Sequence, residues 1–234
     1  MILCLETATS LCSVALCDRN RIVALRESSE DRSHASLLTV FIDEIFKQTG
    51  IKADDLDAVA VSKGPGSYTG LRIGVSVAKG ITYAASVPLI SDDTTLAMFH
   101  GFMAMAEGKY AISQTDLFCP ALDARRMEIY YSIFDSAGNI VKNVRAEIID
   151  NDSMSDLPAS SRIFIFGDGT AKCRDVISRK NVVFDENFAI SAAFMNTPAY
   201  MAFDNRHFED VAYFEPFYLK DFLTSKPVKN ILGK

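Results

Sequence analysis

The sequence predicts an α/β protein of two similar lobes, each a mixed β-sheet with helices packed on it. Three observations carry this. The chain opens with three short apolar runs separated by polar turn residues, helical apolar stripes then alternate with buried strand-like runs, and the second half roughly repeats the order of the first. With 234 residues, 49% of them hydrophobic and 23% charged, there is material for one large or two small domains with a sizeable core.

The opening runs are Ile2 to Leu5, Cys12 to Cys17 and Arg21 to Glu27, punctuated by Glu6-Thr7-Ala8-Thr9-Ser10 and Asp18-Arg19-Asn20, the spacing of a three-strand meander. Leu37, Leu38, Phe41, Ile42, Ile45 and Phe46 then recur in adjacent pairs every four residues, which predicts an amphipathic helix from near Ser33 to Gly50. Leu56 to Val61 reads as a buried strand. A glycine-rich turn follows it, then a helix from about Leu71 to Ser86, a short strand at Pro88 to Ser91 and a helix at Thr94 to Ala106. The order β-β-β-α-β-α is that of helices packed on a mixed sheet.

Glu107-Gly108-Lys109 marks a boundary between residues 1–106 and 107–234. Beyond it, strands are expected at Leu117 to Leu122, Met127 to Phe134 and Ile140 to Ile149, the last two joined by a hairpin turn at Asp135-Ser136-Ala137-Gly138-Asn139. A strand at Arg162 to Phe166 ends at Gly167-Asp168-Gly169; a helix to about Ser178, a strand at Asn181 to Phe184 and a helix near Ala192 to Phe203 complete the chain. The repeat is one of architecture, with no identical residues at a fixed period.

Composition narrows the chemistry. No stretch reaches the ~18 consecutive apolar residues of a membrane helix, and the start lacks a basic leader and long apolar run, so a soluble, cytoplasmic protein is expected. The five cysteines show no CxxC spacing and read as buried, reduced thiols. Three histidines, none with a His or Cys three to five positions away, make a metal site improbable. At a formal charge of −6 the chain advertises no face for gripping nucleic acid alone, and Arg125-Arg126 and Lys220 to Lys229 read as solvated surface.

The most informative segment is Lys63-Gly64-Pro65-Gly66-Ser67-Tyr68-Thr69-Gly70-Leu71-Arg72-Ile73-Gly74, which leaves a strand and enters a helix. Its glycines allow a tight turn and close backbone approach, and Ser67 and Thr69 can cap the helix. A structural turn and a phosphate or partner-contact loop both fit; a Walker loop does not, because no Gly-Lys-Ser/Thr closes it. Along the helix, Gly70, Gly74 and Ala78 fall on one line and Ser76, Gly80 and Ala84 on another, which permits close packing against its own sheet or a partner. The apolar stripe of the preceding helix favours two helices side by side as a partner face. In the first turn, where actin/Hsp70-like kinases place an Asp near phosphates, this chain has Glu6, one methylene too long for the same placement. No Ser/His/Asp set or GxSxG elbow is present. Asp123-Ala124-Arg125 with Glu128 and Tyr130 forms either a contact patch or, the favoured reading, an internal ion pair.

Four segments together resemble the TsaB (YeaZ) family, the glycoprotease-like, M22-type subunits of bacterial tRNA threonylcarbamoyladenosine synthesis. They are the opening Ile2 to Ser13, the run from Gly64 to Gly74, Asp123-Ala124-Arg125 with Glu128-Ile129-Tyr130, and Glu215-Pro216-Phe217-Tyr218-Leu219. The resemblance implies an actin/Hsp70-like (ASKHA, ribonuclease H-like) fold. It implies a catalytic partner of the TsaD type, which carries the metal, and a TsaE-type ATPase. Together these move threonylcarbamoyl from its adenylate to an adenosine next to the anticodon. It further implies a non-catalytic subunit that is a homodimer when alone and meets transfer RNA only through the complex. Its partner face would lie on the first two helices, at Leu37, Leu38, Phe41, Ile42, Ile45, Phe46, Gly74 and Ala78. No intrinsic cofactor is expected; ATP or ADP at the subunit interface, held by Thr7, Thr9, Ser10, Gly64, Gly66, Ser67, Thr69 and Gly70, is compatible. The competing readings are a stand-alone nucleotide-binding regulator and a phosphotransferase or peptidase of the same fold.

Overall fold

A computed structural model describes residues 1–19, 21–29 and 34–220 of the chain. The first sheet contains β1 (Ile2–Glu6), β2 (Cys12–Asp18), β3 (Arg21–Ser28), β4 (Ala58–Gly64) and β5 (Leu89–Asp93), in the order β3-β2-β1-β4-β5. β1, β2 and β3 form the antiparallel meander, while β4 and β5 run parallel to β1. The second sheet is built from β6 (Leu117–Asp123), β7 (Glu128–Asp135), β8 (Ile140–Ile148), β9 (Ile163–Phe166) and β10 (Val182–Asp185), in the order β10-β9-β6-β7-β8. Reading β6 to β10 for β1 to β5 gives the same strand order, so the two lobes share one topology. They differ at one crossover. The first lobe joins β3 to β4 through helix α1 (His34–Thr49), whereas residues 149–162 join β8 to β9 through turns that bury Ile149, Met154 and Leu157.

Each helix end has a local cause. α1 stops where Gly50, at φ +72°, sends its N–H to the Phe46 carbonyl at 2.9 Å. Its expected start near Ser33 lies outside the described residues. α2 (Tyr68–Ala85) starts three residues before the expected Leu71, because Ser67 is already the cap: its Oγ accepts the Gly70 N–H at 3.2 Å. α3 (Thr94–Ala106) begins where the Asp93 carboxylate accepts the N–H groups of Thr95 and Leu96 at 2.9 and 3.3 Å. α4 (Thr170–Val176) is short. The helix expected at Ala192 to Phe203 is a 3-10 turn, Ala192–Met195, followed by α5 (Asn196–Asp204).

α1 and α2 lie side by side on one face of the first sheet, over Leu3, Leu5, Val14, Leu16, Val59 and Val61. On the opposite face small side chains, Cys4, Ala15, Cys17, Ala58 and Ala60, lie beside Ile2 and Ile90 and let α3 and α5 approach closely. α5 therefore belongs spatially to the first sheet, although it follows residue 106 in the chain. α3 is shared between the lobes. Ala97 faces the first sheet, whereas Phe99 and Phe102 enter an aromatic cluster with Phe118, Phe134, Phe164 and Phe166 of the second. Each such ring, fully buried, stabilises the folded state by about 1.5–3 kcal/mol, so α3 ties the lobes firmly. All five cysteines are buried free thiols.

Candidate functional site

The lobes leave a cleft of about 670 Å³ between them. From the first lobe it is lined by the β1–β2 turn at Ala8, Thr9 and Ser10, by Pro65 to Thr69 before and within α2, and by His34. From the second come Asp123 to Arg125 at the β6–β7 turn and Asp168 after β9. The tail closes one side. After α5 it runs back across the first lobe: Glu209 donates its N–H to Leu89 O, Lys79 Nζ contacts the carbonyls of Ala212 and Phe214 at 3.1 Å, and Phe217 donates its N–H to Lys63 O at 2.7 Å. Tyr218 stacks on Tyr68 with centroids 4.6 Å apart, Arg72 lies over Tyr68 at 4.2 Å, and Lys220 reaches Glu128 of the second lobe. Tyr68, Phe217, Tyr218, Asp168 and His34 were not anticipated as site residues. The Gly167-Asp168-Gly169 turn after a strand was the available signal for Asp168. The tail carries no periodicity that could have placed Phe217 and Tyr218.

The expected phosphate loop divides in two. Thr9, Ser10, Gly66, Ser67 and Thr69 line the cleft, whereas Thr7, Gly64 and Gly70 do not reach it. Thr7 is wholly buried against α2, where a Cβ at Gly74 would collide with its Oγ1. A Cβ at Gly70 would overlap the Thr7 carbonyl oxygen, one at Gly66 would stand 2.6 Å from Ala8 Cβ, and one at Gly64 would stand 2.6 Å from the Phe217 carbonyl oxygen. The glycines are there because the β1–β2 turn and the tail press on them. Much of the α2 N-terminus is already satisfied from within the chain: Ser67 N–H donates to Ala8 O at 2.6 Å and Gly70 N–H to Ser67 Oγ.

Glu6 is fully buried at the end of β1. Its Oε1 accepts the Ala8 N–H at 2.5 Å and the Ser62 hydroxyl at 3.0 Å, while Oε2 has no partner among the described residues. Burial pushes its carboxyl up to about 7, against the lowering effect of those hydrogen bonds. Asp92, in register with Ser62 on β5, is raised too, by desolvation and by the neighbouring Asp93 and Glu6 carboxylates. Neither acid lines the cleft. Asp168 does, and its carboxyl is raised by burial although it accepts the Asp123 N–H at 2.9 Å.

The expected partner face is also divided. Five of its eight residues, Leu38, Ile42, Ile45, Gly74 and Ala78, are sealed in the chain's own core. Their spacing records packing on the first sheet. Leu37, Phe41 and Phe46 are half-buried at the margin of that core. The outer surface of the pair is carried by Val40, 47% exposed, Tyr83, 83% exposed, and the exposed Ser76, Gly80 and Ala84. The favoured internal ion pair of Asp123-Ala124-Arg125 with Glu128 and Tyr130 is replaced, among the described residues, by longer-range ones: Asp123 pairs with Lys172 at 2.7 Å, and Glu128 with Lys220.

Among the described residues no three His, Cys, Asp or Glu side chains converge as a metal site, and no helix is long and apolar enough to cross a membrane. His34 is at the cleft, His100 sits within α3 against Phe99, and His207 follows α5.

Residues 22–213 match the family described as TsaD, tRNA N6-adenosine threonylcarbamoyltransferase. The tRNA threonylcarbamoyladenosine biosynthesis protein TsaB of Haemophilus influenzae is 28% identical over 96% of this chain and 95% of its own. The protein of the same name from Bacillus subtilis is 26% identical over 94% and 93%. The solved structure of YeaZ from Pseudomonas aeruginosa superposes with a TM-score of 0.77 at 22% identity, covering 93% of this chain and 99% of that one, a likeness of fold. With the duplicated five-stranded topology and this match along nearly its whole length, the chain belongs to the TsaB/YeaZ family of tRNA threonylcarbamoyladenosine biosynthesis proteins, within the wider TsaD-like group.

Proposed function

We propose that the chain is a non-catalytic scaffold subunit. It pairs with a TsaD-type paralogue, works with a TsaE-type ATPase in the cytoplasm, forms a homodimer when alone, and meets transfer RNA in the assembled complex. The observation that supports this best is the state of Glu6. At the position where the fold's phosphotransferases need an exposed acid, this one is sealed, hydrogen-bonded to Ser62 and to the Ala8 amide, and outside the cleft. A carboxyl that no substrate reaches can neither orient a metal nor take a proton from a substrate. The outer surface of α1 and α2, with Val40, Tyr83 and the uncrowded Gly80, is the partner face in this reading. Reconstitution tests it. Threonylcarbamoyladenosine should form in transfer RNA only when paralogue, ATPase and this chain are combined; transfer by this chain alone, or full activity without it, would refute the proposal.

An adenine nucleotide, ATP or ADP, is the second reading, favoured by the hydroxyls of Thr9, Ser10, Ser67 and Thr69 and by Arg125 around one cleft. Calorimetric titration of the nucleotide into the isolated chain, with no heat of binding, would dismiss it.

A further inference from the structure

The β6–β7 turn holds two consecutive arginines, Arg125 and Arg126, in the left-handed region at φ +68° and +51°. Side chains other than glycine and asparagine avoid that region, so two in succession need a surrounding structure that imposes them. Here the imposition is visible. Lys172, on α4, inserts its ammonium beneath the turn and donates to Asp123 Oδ1 at 2.7 Å, the Arg126 carbonyl at 2.8 Å and the Glu128 carbonyl at 3.1 Å, its own side chain only 14% exposed. Asp123 Oδ1 also accepts the Arg125 N–H at 2.6 Å, and Ala124 N–H donates to Glu128 O at 3.1 Å. These hydrogen bonds brace the turn, and what it presents is charge. Both arginines are exposed, and neither forms an ion pair with a described residue, whereas the acids beside them are engaged by Lys172 and Lys220. Arg125 lines the cleft; Arg126 does not, so the pair straddles the rim and reaches the outer surface.

We propose that the Arg125-Arg126 turn is a preorganised contact for the phosphate backbone of the transfer RNA on which the assembled enzyme acts. Guanidinium groups match phosphate oxygens bidentately and cannot be deprotonated, and a fixed turn loses less freedom on binding than a mobile lysine would. Of the two arginines, a single small anion in the cleft would meet only Arg125, whereas a chain of phosphates crossing the rim meets both. The acidic balance of the whole protein, −6, keeps such a contact local and makes it an aid to RNA held mainly by the partner. The proposal rests on the scaffold reading, and its test separates the two.

The test combines the chain with its paralogue and measures, by filter binding across a salt series, the affinity for an unmodified transfer RNA transcript with adenosine next to the anticodon. Light scattering of the same samples reports assembly. The expected result for Arg125→Gln/Arg126→Gln is unchanged assembly, affinity about tenfold lower at low salt, and a log–log salt slope shallower by about 1 to 2. Arg125→Lys/Arg126→Lys should keep much of the slope and recover part of the affinity. Unchanged affinity and slope with assembly intact would overturn the RNA contact while leaving the scaffold reading standing. Lost assembly would overturn it in favour of a protein contact, and weakened ATP binding with normal RNA binding would overturn it in favour of a nucleotide.

Discussion

Replacing Glu6 by Gln should remove a specific part of the pH dependence of folding. The folded protein holds this carboxyl at about 7, against 4.5 ordinarily, because it is fully buried and desolvated. Between those values the folded state keeps a proton that the unfolded chain has released, so stability contributed by the group is greatest below pH 4.5. It falls as pH rises, and the loss is complete just above 7. At 1.36 kcal/mol per unit the span corresponds to about 3 kcal/mol. Gln retains a carbonyl oxygen for Ser62 and the Ala8 N–H but does not titrate. It also spares Asp92 one like charge. Urea unfolding of both proteins at pH 5 and pH 8 measures the effect. The wild type should lose about 2–3 kcal/mol more than Glu6→Gln between the two conditions. Parallel losses would refute the reasoning, for they would mean that Glu6 is hydrated or ion-paired in the folded protein.

Three further substitutions follow from the geometry. Gly70→Ala should cost at least about 2 kcal/mol, read as a lowered urea midpoint, since the added methyl overlaps the Thr7 carbonyl oxygen and the β1–β2 turn must move. Asp93→Ala should cost about 1 kcal/mol in the same assay by uncapping α3 at the Thr95 and Leu96 amides. Gly80→Ala should do the opposite. It lies within α2 with nothing within 4 Å of the added methyl, so the monomer gains about 0.5–1 kcal/mol, while pairing with the paralogue measured by calorimetry weakens if the outer surface of α1 and α2 is the docking face.

The elements were legible in the sequence because polar punctuation and apolar period are local properties. Thr94 to Ala106 matches its helix end to end, since Asp93 caps it and Glu107-Gly108 ends it. What periodicity cannot state is what covers an apolar face. Leu38, Ile42 and Ile45 have the spacing of an interface and of a core alike, and only the presence of β2 and β3 beneath them decides for the core. Residues 150–161 have no period, so nothing in the sequence replaced the missing crossover helix. The glycines of the Gly64 to Gly74 run were readable as close-approach positions, but the approaching groups, Thr7, Ala8 and Phe217, come from two distant segments. The partner of Asp123 was likewise out of reach. Lys172 lies 49 residues on, and only the packing of α4 against the second sheet, at β9 and β10, delivers it.

In the role proposed for it, this chain acts as a structural partner. The most direct measurement is light scattering coupled to size-exclusion chromatography, on the chain alone and mixed with the TsaD-type paralogue of its own organism. A homodimer that exchanges into a stable complex with the paralogue is the expected result. A monomer that ignores the paralogue would contradict it.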